Sequence, residues 1–160
     1  VADADALGRH RAQMFLEMGR TTDAAVDKLT RASAAFVAAA IPGGAYVAWV
    51  AAPVATPTHI VAGAGVQRRT VLPRPDERDP AHLVNEEALI VNVYTDPAWR
   101  RRGIAELLMR HILAWTHAEG ITRVVLHASA AGRPMYERLG FVATNEMRYD
   151  GTAAKLPDFP

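Results

Sequence analysis

The 160 residues predict a mixed α/β layer fold in which part of the sheet is parallel. Two observations carry this. Strand-like runs of hairpin type come early, with no helix between them, which makes those neighbours antiparallel. Later, "ALIVNVYT" and "TRVVLHAS" flank a helical run, and such a strand–helix–strand crossover produces a parallel pair. The order read along the chain is α-α-β-β-β-α-β-α-β, a mostly antiparallel sheet with a central parallel pair, flanked by helices.

Each element has a local reason. "DADALGRHRAQMFLEMG" predicts a helix with Asp3 as N-cap and Gly19 as stop. Thr21 or Thr22 caps a second helix, "DAAVDKLTRASAAFVAAA", which Pro42-Gly43-Gly44 ends. "AYVAWVAA" and "THIVAGAGVQ" have the Val, Ile and aromatic content of strands, joined by a hairpin turn over Pro53 to Pro57. "RRTVLPRPDERDPAHLVNEE" is polar and proline-interrupted, and is expected to be a long mobile excursion. From Gly103, the positions Ile104, Leu107, Leu108, Ile112 and Trp115 follow helical spacing, and Gly120 closes that amphipathic helix. "RPMYERLG" predicts a short helix and "FVATNEMRY" a last strand.

Composition excludes several functions. Lys+Arg is 18 against Asp+Glu 17, a balance that argues against a dedicated nucleic-acid binder. No cysteine is present, which removes disulfides, Cys-ligated metals and a Cys nucleophile. The six histidines, at 10, 59, 82, 111, 117 and 127, form no H-x-x-x-H or H-E-x-x-H group, so no metal is expected. Arg68, Arg69 and Arg74 are offset by Asp76, Glu77 and Asp79. The longest apolar stretch, around "AFVAAAIPGGAYVAWV", is broken by Pro42-Gly43-Gly44, so no membrane association is expected. No signal peptide is visible, and a cytoplasmic setting is the default expectation.

The stretch that bears chemistry is "NVYTDPAWRRRGIAELLMRHI". A helix N-terminus leaves about four backbone N–H groups without partners and carries roughly half a positive charge. Together these form an anion site. Gly103 has no Cβ and lets a bulky anion approach the main chain, while Arg100, Arg101 and Arg102 add charge and directed donors. The bland alternative is a solvated helix start. Positive side chains oppose the helix dipole there, and a bound phosphate relieves that conflict. The chain has no G-x-x-x-x-G-K-[ST] loop and no G-x-G-x-x-G turn after its first strand.

A strand, a proline, then Arg100-Arg101-Arg102-Gly103-Ile104-Ala105 resembles the R/Q-x-x-G-x-G/A signature of the GNAT N-acetyltransferase superfamily. Arg100, Gly103 and Ala105 match its fixed positions, the last with Ala where Gly is common. "RPMYERLGFV" is similar to that family's late Tyr-x-x-x-Gly-Phe element through Tyr136, Gly140 and Phe141. The two blocks stand in the family's order, and the resemblance runs over residues 1 to 149. "LIVNVYTDPAWRRRGIA" and "LHASAAGRPMYERLGF" resemble a bacterial subgroup with poorly defined substrates. The resemblance implies a GNAT-like acyl-CoA acyltransferase fold in a single domain over residues 1–150, with 151–160 as a C-terminal tail. That family opens with a strand before the first helix, so here the strand either precedes Val1 or is absent.

The resemblance further implies acetyl-CoA as co-substrate and an amine acceptor, in a small molecule or a peptide. It places the pyrophosphate on the amides of Arg101, Arg102, Gly103, Ile104 and Ala105, with Glu106 at the margin. It lays the pantetheine arm along Val93, Tyr94 and Thr95. It puts a strand bulge at Asn92, which interrupts the apolar run "LIVNVY" and would aim one main-chain N–H at the thioester oxygen. Ser129 and Arg133, in and after a loop shorter than in many members, fall on the adenosine side. Tyr136 matches the general acid that protonates the leaving thiolate. For the base, Glu87 and His127 are candidates beside a water chain, with Glu86 on the opposite strand face. Met14, Phe15 and Met18 are expected to wall the acceptor cleft together with the loop around residues 73 to 85. A reading of a different class, a non-catalytic acyl-CoA-binding sensor or interaction module, predicts the same pyrophosphate site, and a homodimer stays open.

Overall fold

A computed structural model describes residues 3–76 and 78–149. The chain divides into two compact units, Val1–His127 and Ala128–Pro160. The tail expected at 151–160 and the acidic residue Glu77 lie outside the described residues.

The first unit runs α1 (Ala4–Glu17), α2 (Asp23–Ala40), β1 (Tyr46–Ala51), β2 (Ala62–Pro75), β3 (Leu83–Thr95), a 3₁₀ turn (Pro97–Trp99), α3 (Ile104–Ala118) and β4 (Arg123–Leu126). Its four-stranded sheet has the order β1-β2-β3-β4. The first two pairings are antiparallel and β3–β4 is parallel, as the crossover through α3 requires. Asp3 and Thr22 occupy the N-cap positions of α1 and α2, but neither side chain makes a capping hydrogen bond. Gly19 ends α1 at φ +65.

Alternation along β1 shows how the sheet is covered. Tyr46, Ala48 and Val50 pack with Ala4 and Leu7 of α1 and Val37 of α2. Trp49 points the other way and meets Trp115 of α3 edge-on at 5.5 Å. The sheet is therefore clothed on both faces, with Leu108, Met109 and Ile112 of α3 buried on the second. On the first face, the buried phenol of Tyr46 lies over Gly65, where any Cβ would collide with it. Burial pushes that phenol up to about 12.

Two expectations are corrected. Residues 68–87 are not a loose excursion. β2 reaches Pro75 and β3 begins at Leu83, so the segment is an extended antiparallel hairpin arm. Its charges pair across the ladder: Arg68 Nε donates to Glu86 at 2.6 Å and Arg69 lies 3.7 Å from Glu87. A register shift between Thr70 and Arg74 takes up Pro73, which cannot donate to a ladder. The last predicted strand, 141–149, is not formed as a strand. A strand needs a ladder partner for its N–H and C=O groups, and the described part of the second unit offers one helix, α4 (Arg133–Arg138), and no strand to pair with.

No helix among the described residues is long and apolar enough to cross a membrane, and none of their His, Asp and Glu side chains cluster as a metal site would need.

Candidate active site

β3 carries the first part of the site. Gly63 of β2 pairs with Tyr94 and Gly65 with Val91, so two steps on β2 face three on β3. The extra residue is a bulge, and within it Asn92 takes φ +59. Asparagine tolerates that left-handed conformation better than most side chains. Here it is also fixed in place: the buried Asn92 Nδ2 donates to the Leu7 carbonyl of α1 at 3.0 Å. A residue that interrupts an apolar run in the sequence thus serves as the anchor of the bulge.

Beyond the bulge β3 is open on one edge. β4 accompanies it only from Glu87↔Arg123 to Ile90↔Leu126. Among the described residues, the β4-side edge of Val93, Tyr94 and Thr95 carries no strand. Such an edge presents main-chain donors and acceptors to any extended ligand arm.

This edge runs directly into the arginine stretch. The 3₁₀ turn Pro97–Trp99 is followed by Arg100 in extended conformation, Arg101 at φ +63, Arg102, and Gly103 at φ +77 as N-cap of α3. Left-handed residues alternating with others turn successive N–H groups to one side, forming a nest for an anion. The first helical bond of α3 is Leu107 N–H to Gly103 O, so the amides of Ile104, Ala105 and Glu106 lie ahead of the helix ladder. A Cβ on Gly103 would meet no protein atom within 4 Å, so the space in front of it is open to a ligand. Glu106, in the first turn, is paired with Arg110 at 2.8 Å.

The three arginines differ. Arg100 folds back on the protein: Nη2 donates to both carboxylate oxygens of Glu17 at 2.7 Å, and Nε donates to the Thr95 carbonyl at 2.9 Å. Arg102 lies over the Trp99 ring at 4.8 Å and donates to the Ala98 carbonyl. Arg101 is exposed.

Met14, Phe15 and Met18 sit at the C-terminal end of α1, the end that Glu17 joins to β3. Phe15 is half-buried beneath the Arg11 guanidinium, and Met18 is 40% exposed. Glu87, one base candidate, is nearly buried and held by Arg123 at 2.5 Å and Arg69 at 3.7 Å. It stands five residues before the bulge along an extended strand, roughly 16 Å away. The structure therefore does not bring Glu87 to Asn92. His127, the other candidate, is exposed just past β4.

In the second unit, the Ser129 Oγ accepts the Gly132 N–H at 3.2 Å and the Ser129 carbonyl accepts the Arg133 N–H at 3.0 Å, which starts α4. Tyr136 packs edge-on against Phe141 at 6.0 Å, and burial raises its phenol above the ordinary value. Gly140, at φ +92, allows the turn that returns Phe141 to Tyr136.

Two residues near the site give no signal in the sequence. Glu17 accepts from Tyr94 Oη at 2.9 Å as well as from Arg100. His10 is fully buried, 5.2 Å ring to ring from Tyr94 and 3.7 Å from the Asp96 carboxylate. Burial holds its imidazole below the ordinary value, while Asp96 pulls it the other way. Both lie on a helix far from β3 in sequence, and no local pattern marks them.

Comparison with known proteins fits this geometry. The acetyltransferase (GNAT) domain family matches residues 46–143. The chain is 33% identical over 75 residues to a [ribosomal protein bS18]-alanine N-acetyltransferase of Salmonella typhimurium, a match covering 44% of this chain and 51% of the relative. It thus spans about half the length of that curated relative. The fold is shared with a GCN5-related N-acetyltransferase from Ralstonia eutropha at TM-score 0.78 and 29% identity, covering 94% of each chain. It is shared also with a predicted acetyltransferase solved with acetyl-CoA from Clostridium acetobutylicum, at TM-score 0.73 and 24% identity, covering 92% of this chain and 88% of the other. The chain belongs to the GNAT acetyltransferase family.

Proposed function

We propose that the protein transfers the acetyl group of acetyl-CoA directly to an amine of a small molecule or a peptide. The observation that carries this is the continuity of a bulged, edge-open strand with the left-handed turn of main chain that leads into α3. Pantetheine has amides that pair with Val93, Tyr94 and Thr95, and a pyrophosphate that suits the amides from Arg101 to Ala105, with Glu106 at the margin. The family match runs from 46 to 143, which supports reading residues 1–150 as a single acetyltransferase domain.

In the reaction, the neutral amine nitrogen attacks the thioester carbon. The carbonyl π pair moves to oxygen, where a main-chain N–H at the Asn92 bulge stabilises the oxyanion. As the oxyanion collapses, the C–S bond breaks and the thiolate takes a proton from the Tyr136 hydroxyl, giving CoA and an amide. The amine's own proton must leave to a base. Glu87 is committed to two arginines, which favours His127 or a chain of waters in that role. Ser129 and Arg133 take the adenosine side, and Met14, Phe15 and Met18 the acceptor side. The near-balanced charge supports a reading with no nucleic-acid partner.

The test is thiol release from acetyl-CoA across a panel of small amines and peptide N-termini. Turnover with at least one amine is expected. Tight acetyl-CoA binding without thiol release from any acceptor would instead assign the chain to the sensor class.

A further inference from the structure

We propose that Glu17 is a positioning residue for the cofactor loop, holding Arg100 as a strut rather than leaving it as a phosphate ligand. This rests on the acetyl-CoA reading of the nest. Arg100 occupies the first position of the signature, where a guanidinium next to an anion site would be expected to face the anion. Instead, two of its three nitrogens are used within the protein. Nε closes onto the Thr95 carbonyl at the end of β3, and Nη2 spans both oxygens of Glu17, each at 2.7 Å. The Tyr94 hydroxyl donates to the same carboxylate, and the guanidinium lies 5.5 Å from the centre of the Tyr94 ring.

These bonds join three elements at one point: the last residue of α1, the end of β3 and the first residue of the arginine stretch. The next residue, Arg101, is held at φ +63, a conformation that is strained for a non-glycine residue and persists only when its surroundings impose it. The Arg100 side chain is the anchor immediately before that strained residue. Glu17 thereby fixes the direction of the amides that follow. It also ties that direction to the end of α1 bearing Met14 and Met18, so the cofactor loop and the acceptor wall share a support.

The electrostatic and positioning roles predict opposite signs. If Glu17 merely sat near the anion site, its negative charge would oppose phosphate binding, and Glu17→Ala would tighten binding. As a positioning residue its loss weakens binding. Titration of the whole chain with acetyl-CoA by calorimetry decides between them, using Glu17→Ala, Arg100→Ala, the double variant and the near-isosteric Glu17→Gln. Each single alanine variant should bind about two- to fivefold more weakly, the scale of a partly exposed ion pair. The double variant should be no weaker than either single one, since both remove the same strut. Glu17→Gln, which keeps acceptor and shape, should fall between wild type and Glu17→Ala, and it serves alone if the alanine variant does not fold. Glu17→Ala binding as tightly as wild type or tighter overturns the proposal. Multiplying effects in the double variant do so too, as does a lowered melting temperature with unchanged affinity. Gly103→Val separates this from the underlying reading: if it also binds like wild type, the nest is not the cofactor site and both fall.

Discussion

Asn92 offers the sharpest test, because its backbone and its side chain can be perturbed separately. Its φ of +59 forms the bulge, and its Nδ2 holds the buried Leu7 carbonyl at 3.0 Å. Asn92→Ala removes a buried hydrogen bond, about 1 kcal/mol, and places a residue less tolerant of the left-handed region there, about 1 kcal/mol more. Asn92→Gly loses the same hydrogen bond and about 0.5–1 kcal/mol of chain entropy, but recovers a similar amount because glycine adopts positive φ freely. The expected losses are about 2 kcal/mol for alanine and about 1 kcal/mol for glycine. For a chain of this size the difference is roughly 2–4 °C in melting temperature, with glycine the more stable. Urea unfolding followed by circular dichroism measures both. Turnover should order the same way, since the oxyanion donor proposed above is main chain and glycine keeps the bulge. If Asn92→Gly is as destabilised as Asn92→Ala, or worse, positive φ is not what selects this residue, and the bulge argument fails.

Three further outcomes are expected. Gly103→Val should abolish acetyl-CoA binding in calorimetry, because its side chain would occupy the open space before the nest and strain φ +77; unchanged affinity would refute the pyrophosphate assignment. Tyr136→Phe should keep acetyl-CoA affinity while slowing transfer on the order of 10²-fold; since burial raises its phenol, the wild-type acid should stay protonated past its ordinary value of about 10, and an alkaline loss of rate well below that would assign the acid elsewhere. His10 is buried and its imidazole is held below its ordinary value, so the unfolded chain takes up a proton first, near 6.5, and stability present above that value should fall as pH drops below it; a melting temperature as sensitive to pH in His10→Gln as in wild type, between pH 5 and 7, would show that another group titrates.

Much of the fold was decided by local rules. The helical spacing from Ile104 onward, the glycines that stop α1 and α3, and the crossover from β3 to β4 all follow from residues close together in the chain. The site's main chain was legible for the same reason. A nest and a helix start are built by consecutive residues, and Asn92 betrayed the bulge by interrupting an apolar strand. Tertiary structure alone decided the rest, because pairing partners lie far apart in sequence. The polar stretch 68–87 became a hairpin arm since its charges met opposite partners across a ladder. The segment 141–149 has strand-like residues, but a strand exists only where another strand receives its hydrogen bonds. Glu87 is a free carboxylate on paper and an arginine-bound one in the fold, through an ion pair spanning 36 positions. Glu17 and Arg100 are 83 positions apart, and only the packing of α1 across β3 brings them within 2.7 Å.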